Sequence, residues 1–201
     1  MSWNSFACVG PGKWLAYLRA DLRSATKSLF VISPWLDEDV AKELVLLAPP
    51  NLTVRVLVRS EDEIDPKDWQ DSCAAFVVMM RVWQDFEART LQRLNARCLF
   101  IDDCVAYVGS AILSRRELER NLDIVARGPV AEVIALREEC ETLWAKATPL
   151  PVTQFAAPKR AHATNSDHKK DTTDGFLDPL AAKVLQENPK AFVLGKKKQR
   201  H

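Results

Sequence analysis

The sequence predicts a three-layer α/β domain followed by a C-terminal region of different character. Three observations predict it. Short apolar runs at residues 28–33 and 53–58 alternate with segments of helical apolar spacing. Two more apolar runs, residues 96–101 and 104–108, meet at Asp102-Asp103. From Thr148 the composition shifts to Pro, Thr, Ala, Lys and Asp, with little to bury.

Residues 13–27 place Trp14, Leu15, Leu18, Leu22 and Ala25 on one helix face, with Arg and Asp between them. Residues 28–33 are almost continuously apolar, as in a strand covered on both sides. Pro34-Trp35-Leu36 ends that strand, and Asp37 is placed to cap a helix reaching about Leu47, with Glu38 and Asp39 in its first turn. Pro49-Pro50 stops the helix. Residues 53–58 form a second β-branched strand. Residues 60–71 read as an acidic loop with a helix starting near Pro66, residues 75–83 as a helix end and then a strand, and residues 84–94 as polar and ambiguous. Residues 121–127 read as a strand broken by Gly128-Pro129. Residues 130–146 carry Val130, Val133, Ile134, Leu136, Cys140, Leu143 and Trp144 at amphipathic helical spacing. Trp35, Trp83 and Trp144 are expected as core anchors.

The domain is therefore assigned to residues 1–147, with a flexible linker at 148–174 and a further segment at 175–201. In that last segment Phe176, Leu177, Leu180, Val184 and Leu185 fit a short helix between two prolines. A short apolar helix beyond a linker has the character of an element that docks on a partner or a neighbouring protomer. The alternative is a helix packed back on its own domain. The closing Lys196 to Arg200 run reads as a solvated terminus or as a nucleic-acid or localisation patch.

At 201 residues and 47% apolar content, the chain can bury a full core. Its net charge of +1 hides an asymmetry. Residues 151–201 hold ten Lys/Arg against five Asp/Glu, a net +5, which leaves −4 on residues 1–150. That acidic balance argues against a body that coats nucleic acid non-specifically. The five cysteines, Cys8, Cys73, Cys98, Cys104 and Cys140, are widely spaced, and no CxxC or Cys/His cluster occurs. They read as reduced thiols that pack as small apolar groups, so no metal and no cofactor is expected. Residues 1–7 lack the charged start and apolar stretch of a secretory signal, and no window reaches the ~18 apolar residues of a membrane span. The expectation is a soluble, cytoplasmic protein without membrane contact.

The chemistry-bearing stretch is residues 94–123. Its order is strand, Asp-Asp turn, strand, Gly109-Ser110-Ala111-Ile112, an arginine-rich segment, then Asn121-Leu122-Asp123. This layout resembles the phospholipase D-like superfamily, whose signature is HxKxxxxD, then GSxN, then an Asn-x-Glu segment. The looser resemblance extends from Trp14 to Trp144 and implies a mixed central sheet. It also implies phosphodiester chemistry, in which one His attacks phosphorus, a second protonates the leaving group, and Lys and Asn hold the phosphate oxygens. Members with one motif per chain pair so that two motifs make one site. This implies a homodimer, or else a heterocomplex in which the chain supports another protein.

On this pattern Asn95 stands at the His position, Arg97 at the Lys position and Asp102 at the Asp position. Ser110 matches GSxN, Ile112 replaces its Asn, Asn121 matches the later Asn, and Asp123 stands where the acid belongs. Asn95 has a delocalised, neutral amide with no nucleophilic nitrogen. Arg97 keeps a charge that can grip phosphate, even bidentately. Ile112 removes a phosphate donor. Losing a nucleophile alone typically removes several orders of magnitude of rate. All three histidines, His162, His168 and His201, lie outside residues 1–150. Arg93, Arg97, Ser110, Arg115, Arg116 and Arg120 flank the site. They read either as retained phosphate or nucleic-acid contacts or, for the arginines, as a solvated face paired with Glu117 and Glu119. Asp102 reads more readily as a turn residue than as a catalytic one.

Three functions follow as expectations. The first is a catalytically inactive scaffold or regulatory subunit of a nucleic-acid-processing or defence assembly. The second is a phosphodiesterase or nuclease with a rebuilt site. The third is an anion- or nucleotide-sensing domain that uses Arg97.

Overall fold

The computed structural model describes residues 7–9, 14–110, 113, 124–151 and 155, with side chains from Leu15 onward. Among the described residues there are four α-helices and eight strands. Helix α1 (Trp14–Ser24) leads to β2 (Ser28–Ile32), the two preceded by β1 (Ala7–Val9). Asp37 caps α2 (Glu38–Leu47) by accepting the Asp39 N–H at 2.8 Å. Asp65 does the same for α3 (Pro66–Val82) through the Lys67 N–H, with Pro66 in the first turn where its missing N–H costs nothing. Strands β3 (Thr53–Arg59), β4 (Asp85–Leu91), β5 (Cys98–Ile101), β6 (Val105–Gly109) and β7 (Val125–Pro129) precede α4 (Ile134–Lys146) and β8 (Thr148–Leu150).

The strands form one mixed sheet in the order β1-β7-β6-β5-β2-β3-β4-β8. Strands β2, β3 and β4 are parallel neighbours, and the rest pair antiparallel. Strand alternation divides the core between two faces. Leu29 and Val31 of β2 join the cluster under α1, α2 and α3, whereas Phe30 and Ile32 join the cluster holding Cys140 and Trp144 of α4. Helices therefore cover both faces, giving the three layers that the sequence predicts.

Several local readings are corrected. Residues 75–82 are helical throughout rather than turning into a strand, because Ala75, Phe76 and Met79 are buried at helical spacing. Trp83 ends that helix and anchors it, its indole N–H donating to the Pro49 carbonyl at 2.8 Å. The polar stretch after it forms β4, in which Ala88 alone is fully buried. Its strand character comes from the seven-residue register with β3, not from its own apolarity. Gly128-Pro129 does not break β7, since both residues continue the pairing with β6, opposite Ala106 and Val105. The helix expected from Val130 begins at Ile134 after one tight turn at Val130–Glu132, and Ile134 is exposed.

The domain also runs past its predicted end at Ala147. Thr148–Leu150 is an edge strand on β4, and the Phe155 ring meets Trp69 edge-on at 6.4 Å. These residues belong to the compact unit Met1–Ala157, not to a linker. Of the thiols expected to be buried, Cys98 and Cys140 are, Cys73 is half-buried, and Cys104 is exposed at the tip of the β5–β6 turn. Phe176, Leu177, Leu180, Val184 and Leu185 lie outside the described residues.

Candidate functional site

Strand β5 runs antiparallel to β2, so its entrance lies at the sheet end where β2, β3 and β6 finish. Asn95 and Arg97 are thereby brought to one rim with Ser33, Arg59 and Gly109-Ser110. A shallow cleft beside Arg97 is lined by Ile32, Cys98, Tyr107, Gly109, Leu113 and Val125.

Asn95 is exposed, and its Oδ1 accepts from Arg59 Nη2 at 3.1 Å. Arg59 Nε donates to the Leu94 carbonyl at 2.6 Å, so one guanidinium holds two successive residues. Arg97 is half-buried, and its carbonyl accepts the Gly109 N–H at 3.4 Å. Its Nε is buried with no hydrogen-bond partner among the described residues. A buried donor left without an acceptor costs about 1–3 kcal/mol.

Gly109 is required by packing. A Cβ there would lie 2.2 Å from the Ile124 carbonyl oxygen and 2.8 Å from Val125 Cα. The Gly-Ser pair thus lets the end of β6 press against the start of β7. Ser110 continues that contact: its N–H donates to the Ile124 carbonyl at 3.1 Å, and its hydroxyl oxygen accepts the Ile124 N–H at 3.2 Å. Leu113 is tied to the loop between β2 and α2, its carbonyl accepting the Asp37 N–H at 3.0 Å.

Asp102 stands at the opposite end of β5, at the hairpin turn, with φ 51°. Its carboxylate accepts from the backbone N–H groups of Thr26, Lys27 and Ser28 and from the Thr26 hydroxyl, at 2.7 to 3.2 Å. Burial pushes its pKa up, but these hydrogen bonds outweigh burial and hold the carboxyl below its ordinary value. Asp102 therefore fastens the α1–β2 junction to the hairpin and does not reach the cleft. Arg93 also has a positive φ, 57°, and its backbone N–H donates to the Glu63 carboxylate. Its side chain is exposed. Asn121 and Asp123 lie outside the described residues, as do Ile112, Arg115, Arg116 and Arg120.

Sequence reasoning missed Arg59. It ends the apolar run of β3, and only the β2–β3–β5 arrangement brings it beside residue 95. The sole signal in the sequence was an arginine closing a buried strand, where a charge must face a loop or a site. Two ion-paired clusters were missed as well. Arg55 makes a bidentate pair with Glu141 at 2.6 and 2.7 Å beneath Phe30 and Trp144. Arg127 pairs with Asp21 at 2.7 Å, and Tyr107 donates its hydroxyl proton to the same carboxylate. Both clusters brace helices against the sheet.

The described rim offers cationic and amide donors and no activated nucleophile. Asn95 is an amide. The Cys98 thiol is pushed well above its ordinary pKa by its hydrogen bond with Cys140 and by burial, which keeps it protonated. Among the described residues, no three His, Cys, Asp or Glu side chains converge as metal ligands, and no helix is long and apolar enough to cross a membrane.

Comparison with known proteins places this geometry. The family described as "Cardiolipin synthase, PLD-like domain" matches residues 18–144, more than half of the chain. No curated protein matches it. Among solved structures, NucT from Helicobacter pylori aligns with a TM-score of 0.60 at 14% identity, over 72% of this chain and 98% of NucT. The phospholipase D family member Nuc from Salmonella typhimurium aligns with a TM-score of 0.57 at 12% identity, over 72% of this chain and 98% of Nuc. At these identities the two structures establish the fold and nothing finer. With the family model spanning the sheet from α1 to α4, the chain belongs to the phospholipase D-like family.

Proposed function

We propose that this is a catalytically inactive phospholipase D-like protein that acts as a scaffold or regulatory subunit. The observation that carries the reading is the state of residue 95. The position of the family's nucleophile holds an amide whose oxygen is engaged by Arg59. An amide nitrogen cannot attack phosphorus or shuttle a proton. Residues 1–157 contain no histidine to replace it. A tail histidine, His162, His168 or His201, would have to be positioned within a few tenths of an ångström to act.

The test is a phosphodiesterase assay in excess chelator, with DNA, RNA and bis(p-nitrophenyl) phosphate as substrates. The expected result is no turnover above a protein-free blank. Turnover that disappears in Asn95→Ala or Arg97→Ala would establish the alternative, a rebuilt phosphodiesterase or nuclease.

The unpartnered Nε of Arg97 favours a second, compatible reading: the cleft still binds a phosphate-bearing ligand, either a nucleotide or the backbone of a nucleic acid. On this reading Arg93 and Ser110 contribute to phosphate binding beside Arg97. A scaffold that recognises phosphate suits a nucleic-acid-processing assembly, and the defence setting rests on family analogy. The same analogy supports a homodimer or a heterocomplex in the cytoplasm, to which Phe176, Leu177, Leu180, Val184 and Leu185 contribute the docking face. Sedimentation of the full chain, alone and with those five residues replaced by serine, tests self-association: a dimer in the first sample and a monomer in the second is expected.

A further inference from the structure

Six arginines among the described residues are half-buried. Arg55, Arg89, Arg127 and Arg137 each pair with a carboxylate at 2.7 Å or less. Arg59 and Arg97 have no carboxylate partner among the described residues. Among the described residues Arg59 donates to neutral acceptors only, the Leu94 carbonyl and the Asn95 amide oxygen. Such bonds fix its geometry without supplying a counter-charge. Asn95 and Arg97 are two residues apart, so their Cα atoms lie within about 7 Å of each other. With Asn95 Oδ1 accepting from Arg59, the Asn95 Nδ2 amide remains a neutral double donor.

We propose that Arg59 and Arg97 are the two cations of one anion site, with Asn95 oriented between them, and that this site selects a terminal phosphomonoester over an internal phosphodiester. The inference rests on the reading that the Arg97 cleft still holds phosphate. Charge matching decides the ligand class. An internal phosphodiester carries one negative charge on two free oxygens. A terminal monoester carries about −1.5 to −2 at neutral pH on three oxygens. Two guanidinium groups and an amide donor match the dianion with three oxygens. They leave one cation unanswered when a monoanion binds. The ligand class is a nucleic-acid end or a nucleotide bearing a terminal phosphate.

The experiment uses the full chain and two fluorescent single-stranded oligonucleotides of identical sequence, one with a 5′-phosphate and one with a 5′-hydroxyl. Anisotropy is read at moderate salt without divalent metal. The phosphorylated strand is expected to bind about tenfold more tightly, the scale of one added charge-assisted contact. Arg59→Met is expected to abolish the difference, and Arg97→Ala to abolish binding of both strands. A measurement without mutation supports the same point. Inorganic phosphate should displace the phosphorylated strand more effectively at about pH 8, as the dianion, than at about pH 5, as the monoanion, because its second pKa lies between. Equal affinity for the two strands, with both lost in Arg97→Ala, overturns the monoester preference and leaves phosphate binding standing. Failure of both strands and of inorganic phosphate to bind overturns the two together.

Discussion

The Asp102 carboxylate accepts both the backbone N–H and the hydroxyl of Thr26, at 3.0 and 3.1 Å, across seventy-six positions of sequence. The Lys27 and Ser28 amides complete the set at 2.7 and 2.9 Å. Asp102 is thus a structural clasp at the far end of β5 from the cleft. Asp102→Ala should destabilise the domain by about 2–4 kcal/mol, since it leaves several partly buried donors without their carboxylate acceptor. Urea unfolding at neutral pH measures it. A variant as stable as the parent would remove the clasp.

The same clasp has a pH signature. The folded carboxyl lies below its ordinary pKa, so its ionised form stabilises the fold. That contribution is complete above the unfolded value of about 3.9 and fades as pH falls through the lower folded value. The stability gap between the parent and Asp102→Ala should therefore close below about pH 4 and stay constant from about pH 5 to 8. Unfolding midpoints across that range decide it.

Gly109→Ala forces a methyl group into the Ile124 carbonyl, 2.2 Å away. Strands β6 and β7 must separate, at a cost of about 1–3 kcal/mol. Thermal unfolding should show a lower midpoint, whereas Ala106, buried on the same strand, marks a place where a methyl is accommodated.

On the proposed reading of an inactive site, Asn95→His should not confer phosphodiesterase activity. The Arg59 N–H that now meets the amide oxygen would meet the imidazole lone pair and occupy the nucleophile. Ile112 still lacks the phosphate-holding amide. Release of p-nitrophenol from bis(p-nitrophenyl) phosphate should stay at background. Turnover in the single variant, absent from the parent, would show that the surrounding site is intact and that residue 95 alone withholds the activity.

Thiol labelling should follow exposure. In a Cys8→Ser background, Cys104 is expected to react first with a maleimide, because it sits exposed in the hairpin turn. Cys73 should react slowly at neutral pH and faster toward alkaline pH, since burial and the nearby Glu61 push its pKa up to about 11. Cys98 and Cys140 should react only as the protein unfolds. Mass spectrometry of the modified peptides gives the order, and rapid labelling of Cys98 would contradict its burial.

The sequence by itself determined the helices capped by Asp37 and Asp65, the β2 and β3 strands, and the hairpin with its Gly-Ser exit. These are written in local periodicity and turn chemistry. It also determined that residue 95 is not a histidine. Only the tertiary structure decided that polar β4 is a strand, because its ladder with β3 outweighs its own weak propensity. Only the tertiary structure brought Arg59 to Asn95, carried Asp102 to Thr26, and folded Thr148–Leu150 back onto the sheet edge. Each of these joins residues that are distant in the chain. Periodicity records which face of a segment is apolar; it carries no information about which distant segment will cover that face or complete its hydrogen bonds.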